Sequence, residues 1–142
     1  MKLPPADILF HEDVHLLVWR PRGVVDEAVV EHIITLIGEL EASSRNPFNR
    51  FTDAWAVEAV DLNFRYIFRV ALFRRLSYAG RPPVKSAILV PSIAHAHYSR
   101  LFELLTRGSS IKVRIFEARE AAAQWLGVPV ELLTFSPIGS SQ

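Results

Sequence analysis

Val84-Lys85-Ser86-Ala87-Ile88-Leu89-Val90-Pro91 holds four consecutive apolar residues, Ala87 to Val90, in a short run closed by a proline. A strand with one wet face alternates apolar and polar residues. An uninterrupted apolar run instead belongs to a strand covered on both faces, as parallel strands are. The flanks supply the covering helices. Upstream, Asn63 or Asp61 can cap a second helix running to about Tyr78, closed by Ala79-Gly80 and Pro82-Pro83. Downstream, Ser92 is the predicted cap of a third helix that reaches about Thr106 and stops at Arg107-Gly108. Ile111 to Phe116 then alternates Ile111, Val113 and Ile115 against Lys112 and Arg114, the pattern of a strand nearer the sheet edge. A short helix follows over Arg119 to Leu126 and ends at Gly127.

Toward the N-terminus the same alternation continues. Phe48 to Asp53 reads as a strand after the loop Ser43-Ser44-Arg45-Asn46-Pro47, while 54–62 fits either a loop or an extension of that strand. Asp26 is a predicted N-cap for a helix from Glu27 to about Glu41. Val29, Val30, Ile33, Ile34, Leu36, Ile37 and Leu40 share one broad face of it, so it should lie on a sheet. Two β-rich runs, Asp7 to Glu12 and His15 to Arg20, form a hairpin, and Pro21-Arg22-Gly23 ends its second arm. The order β-β-α-β-α-β-α-β-α predicts an α/β fold with a mixed, mostly parallel sheet of about five strands and four helices. One domain is expected over 1–142, its core about 7–127, with 128–142 as a tail. Within that tail 131–135 is able to pack down and 136–142 is expected to be loose.

Composition narrows the function classes. Half of the 142 residues are hydrophobic, enough for one core, and the formal net charge of +1 gives no global field for nucleic acid. Without cysteine there is no disulfide, thiolate chemistry or cysteine-held zinc. No stretch has signal-peptide character or approaches the roughly 20 apolar residues that span a bilayer, so a soluble cytoplasmic protein without membrane insertion is expected.

Several segments carry a family resemblance: the hairpin ending in Arg22-Gly23, then Asn49-Arg50-Phe51-Thr52-Asp53, then Asp61-Leu62-Asn63. The most specific is Gly108-Ser109-Ser110-Ile111-Lys112-Val113-Arg114-Ile115-Phe116 followed by Glu120-Ala121-Ala122-Ala123-Gln124-Trp125-Leu126. Over about 7–127 the chain resembles the SpoIIAA-like fold of anti-sigma-factor antagonists and of STAS domains, in an uncharacterised bacterial branch. The resemblance implies that fold, while a non-enzymatic interaction module is expected from the missing catalytic set and the two-sided second helix. It does not carry over the phosphorylation switch. Anti-sigma antagonists place Asp-Ser-Ser/Thr-Gly at the start of the second helix, where this chain has Asn63-Phe64-Arg65-Tyr66, without serine, threonine or glycine.

Candidate chemistry is sparse. His95 and His97, two apart on a helix, point about 160 degrees apart and cannot share an ion unless the helix start is unwound. His11 and His15 on the hairpin lack a third ligand, so no metal and no cofactor is expected. Ser92 with His95 is the one local nucleophile-and-base pair, and no Gly-rich phosphate loop precedes a helix. Asp53, Asn63, Ser92 and His95 all map to the carboxyl edge of the strands, where open parallel sheets bind ligands, and form the candidate pocket. The second helix has two apolar groups. Phe64, Ile67, Phe68, Ala71 and Leu72 should face the sheet, leaving Tyr66, Arg69, Val70 and Phe73 as a candidate interface, unless Leu132, Leu133 and Phe135 cover it. The function expected is thus self-association, as a homodimer, or docking of a protein partner. A binder of a small lipid-like or anionic ligand is the alternative.

Overall fold

The computed structural model describes residues 7–44 and 46–134. β1 (Ile8–His11) and β2 (Leu16–Trp19) form the antiparallel hairpin, with Ile8 opposite Trp19. His15 turns the corner between them at a φ of 52°. β3 (Gly23–Asp26) leads into α1 (Glu27–Ser43), capped as expected by Asp26, whose carboxylate accepts from Val29 N at 3.0 Å. Asp26→Ala should lower stability by about 1 kcal/mol, read from the midpoint of urea unfolding.

β4 (Asn49–Asp53) and β5 (Val57–Asp61) precede α2 (Phe64–Ser77), whose cap is Asn63, accepting from Tyr66 N at 2.8 Å. β6 (Val84–Leu89), α3 (His97–Leu105), β7 (Ile111–Phe116) and α4 (Arg119–Leu126) follow. Five strands form one sheet in the order β1-β2-β4-β6-β7, parallel except for the hairpin, with β7 at the edge as its alternation predicts.

Two departures from the sequence reading matter. The open stretch 54–62 contains β5, which pairs in parallel with β3 as a second, two-stranded sheet from Gly23↔Val57 to Asp26↔Asp61. Ser92 does not cap a helix: Ile93–His95 is a 3-10 turn, and α3 begins only after Ala96. The Ile93 N–H that a helix start would leave free donates instead to Glu117 Oε2 at 2.8 Å, just beyond β7. His95 accordingly sits in the turn and His97 opens the helix.

The two faces of the large sheet are packed differently. On one, Leu16, Val18, Phe51, Ala87 and Leu89 meet Ala122, Ala123 and Leu126 of α4, and Leu133 from the segment beyond it. The opposite face carries α1, through Leu17, Ile33, Ile37 and Phe48, and then α2 and α3. Leu133 therefore packs against α4 and the sheet, not against α2. Phe135 lies outside the described residues.

α2 is rotated from the expected orientation. Tyr66, Ile67, Ala71 and Arg74 are buried and Val70 half-buried, while Phe64, Phe68 and Leu72 are exposed. The inward choice is favoured by one bond to a distant residue and one contact at the helix's own C-terminus. The Tyr66 hydroxyl donates to Glu31 of α1, and the Arg74 guanidinium lies 5.8 Å over the Tyr78 ring. Of the four candidate interface residues, Arg69 and Phe73 face outward, whereas Tyr66 and Val70 do not.

Candidate functional site

Neighbouring residues of one strand point to opposite faces, so β4 and β6 report on both sides of the sheet. Toward α4, Phe51 and Ala87 are 0 % exposed and Leu89 1 %. Toward the three helices, Thr52, Ser86 and Ile88 of the same central strands are only half-buried. They face a half-open cavity of about 240 Å³ between the sheet, α1, α2, α3 and the small sheet. Its walls are mainly apolar: Leu17 and Trp19 of β2, Ile33, Ile34 and Ile37 of α1, Ile67 and Val70 of α2, and Phe102 of α3. The cavity exists because Thr52 and Ser86 are small where a packed sheet face would carry large side chains.

One end carries charge. Arg50, at the start of β4, and Arg74, in the last turn of α2, both line the cavity. Arg50 Nη2 donates to Glu41 Oε2 and to the Tyr78 hydroxyl, each at 2.6 Å. Its guanidinium also lies 4.9 Å over the Phe48 ring and 5.2 Å over Tyr78. Burial lowers the Arg50 pKa to about 10 against the opposing pull of Glu41, so the group stays charged at neutral pH. Arg74 is also lowered by burial, with Glu41 partly offsetting it. Burial likewise pushes the Tyr66 phenol up, reinforced by its bond to the Glu31 carboxylate. At the other end Val57 and Leu62 are half-buried and Val60 is 38 % exposed, so the cavity reaches the surface beside the small sheet.

The four residues expected to share a pocket are not brought together. Asp53 is the parity opposite of Thr52 and points toward α4, where it binds Arg119 Nη2 at 2.8 Å and accepts from Trp55 N at 3.1 Å. Asn63 caps α2 and borders a shallow polar cleft with Asp26, Glu27 and Asp61. Ser92 is half-buried and His95 exposed, and neither lines the cavity. The residues that do line it, Arg50, Thr52, Ser86 and Arg74, were legible only as misfits on buried faces. Among the described residues, no three His, Asp or Glu side chains are grouped to hold a metal, and no helix is long and apolar enough to cross a membrane.

No protein-family model and no curated protein matches the chain. Among solved structures it is similar to an uncharacterised protein of the DUF3478 family from Shewanella loihica PV-4, described as having a SpoIIAA-like fold. The two share 16 % identity at a TM-score of 0.55, over 84 % of this chain and 90 % of that one. The fold is SpoIIAA-like. A SpoIIAA-like sheet with α4 packed tightly on one side thus leaves unfilled space on the other.

Proposed function

We propose that this SpoIIAA-like domain is a non-catalytic binding module that holds a small, largely apolar molecule between its sheet and its three-helix face. The observation that carries the reading is the difference between the two faces of β4 and β6: sealed toward α4, open toward the cavity. Lack of chemistry in the wall supports a binding role. Serines line it, but no His, Asp or Glu is among the lining residues to activate them as nucleophiles. The cysteine-free composition fits a cytoplasmic setting.

Trp19 lines the cavity and reports on it directly. With Trp55 and Trp125 replaced by Phe, a short brominated alcohol should quench Trp19 emission saturably. Ser86→Leu should weaken that binding by about tenfold or more by filling the space the ligand needs. Quenching that rises linearly without saturation, unaffected by Ser86→Leu, would mean collisional contact and no site.

A second reading concerns the exterior of α2. Phe64, Phe68, Leu72 and Leu76 recur every fourth residue as a strip whose side chains are 53–70 % exposed. Such a strip favours contact with a second copy of the chain. The helix is about 21 Å long, so the strip covers only part of the roughly 800 Å² per partner of a standard interface, and the dimer is weak. α2 also carries Arg65, Arg69, Arg74 and Arg75 and no acidic residue, so two copies repel. Salt screens that repulsion. Sedimentation should show a reversible dimer that strengthens with salt and is lost in Phe68→Glu. A chain that stays monomeric at millimolar concentration in high salt would end this reading.

A further inference from the structure

At the charged end of the cavity two buried guanidiniums share one carboxylate. Arg50 and Arg74 are 7 % and 8 % exposed. Glu41 is committed to Arg50 at 2.6 Å and is also shared with the exposed Arg81 at 3.9 Å. Among the described residues Arg74 has no hydrogen bond and no carboxylate within ion-pairing distance, only the face of Tyr78. With Glu41 committed to Arg50, the two guanidiniums keep one positive charge in excess, a costly group to bury even with Arg74 stacked on Tyr78. Such a group is explained by an anion that arrives with a ligand.

We propose that the molecule held in the cavity is a medium-chain carboxylate, its head paired with Arg74 in the field of Arg50 and its chain running along the sheet toward Val60. This rests on the reading of the cavity as a ligand site. One uncompensated positive charge calls for a monoanion, and the planar guanidinium fork matches a carboxylate. Phosphate monoesters carry close to two charges and a bulkier head. Chain length follows from volume. An apolar cavity of about 150 Å³ takes benzene, so the 240 Å³ here accommodates about ten heavy atoms, the size of octanoate. The run from Arg50 to Ala54, four residues of strand, spans about 13 Å, which suits an extended chain of that length.

The test is a calorimetric titration of the unaltered protein with octanoate, 1-octanol, octylammonium and octyl phosphate. Octanoate should bind at least about tenfold more tightly than 1-octanol, with octylammonium weakest. In Arg74→Met the octanoate and octanol affinities should come within about twofold of each other, while the melting temperature changes little, because losing the Tyr78 stacking is offset by removing a buried excess charge. Equal affinity for octanoate and 1-octanol in the unaltered protein would overturn the proposal and leave the cavity reading intact. So would an octanoate preference that survives in Arg74→Met. Tighter binding of octyl phosphate would overturn the carboxylate assignment. If none of the four binds, the cavity reading itself fails. The comparison in the unaltered protein decides the matter even where Arg74→Met does not fold.

Discussion

Phe51→Ala is expected to destabilise the protein by about 4 kcal/mol, measured as a lower urea midpoint at unchanged slope. The ring is fully buried in the cluster of Leu16, Val18, Ala87, Leu89 and the small residues of α4, where truncation leaves a void that the rigid sheet cannot close. Its neighbour gives the opposite result. Thr52→Leu enlarges a side chain that points into the cavity. In a well-packed interior that change costs about 1–3 kcal/mol through overpacking. Here it should be close to neutral, and it should weaken ligand binding. Two adjacent residues with such different tolerance would show that the faces of one strand differ in packing. A Thr52→Leu loss as large as that of Phe51→Ala would show that both faces are filled.

Glu41→Ala is the second large effect, a loss of about 3 kcal/mol. It removes the carboxylate that pairs with Arg50 and leaves Arg50 and Arg74 buried without a counter-charge. The lower end of the range for a broken buried pair applies because the Glu41 side chain is 18 % exposed. Adding Arg50→Met to Glu41→Ala should recover a good part of the loss, since a hydrophobic side chain of similar volume needs no partner. Full additivity of the two single losses would contradict the coupling described for this pair.

Much of this architecture is written locally in the chain. Asp26 and Asn63 announce their helices by cap chemistry, and the unbroken run Ala87 to Val90 marks an interior strand. β3 and β5 are four and five residues long and pair across more than thirty positions, so neither has enough periodicity to declare itself. The orientation of α2 was ambiguous for a different reason. Phe64-Phe68-Leu72 and Tyr66-Val70 are both apolar stripes, and a helical wheel cannot say which one meets the sheet. The bond from Tyr66 to Glu31, distant in sequence, favours one of them.

Strand parity separates the pocket expected from the sequence from the cavity in the fold. Asp53 lies at the carboxyl end of β4, where ligands often bind, yet it sits one residue from Thr52 and therefore on the other face. Arg50, Thr52 and Ser86 carried the usable signal. They are charged or small at positions whose register partners, Arg50↔Ser86 and Thr52↔Ile88, lie side by side beneath the helices.

A ligand that enters between the sheet and the three helices must perturb one face of the sheet and not the other. A methyl-resolved NMR titration with octanoate tests this face by face. Resonances of Ile34, Ile67 and Ile88, which line the cavity, should shift and saturate at one equivalent, while those of Leu16, Val18 and Leu89 on the α4 side stay in place. Shifts confined to Leu72 and Leu76 on the exterior of α2, or no saturable shift at millimolar octanoate, would contradict it.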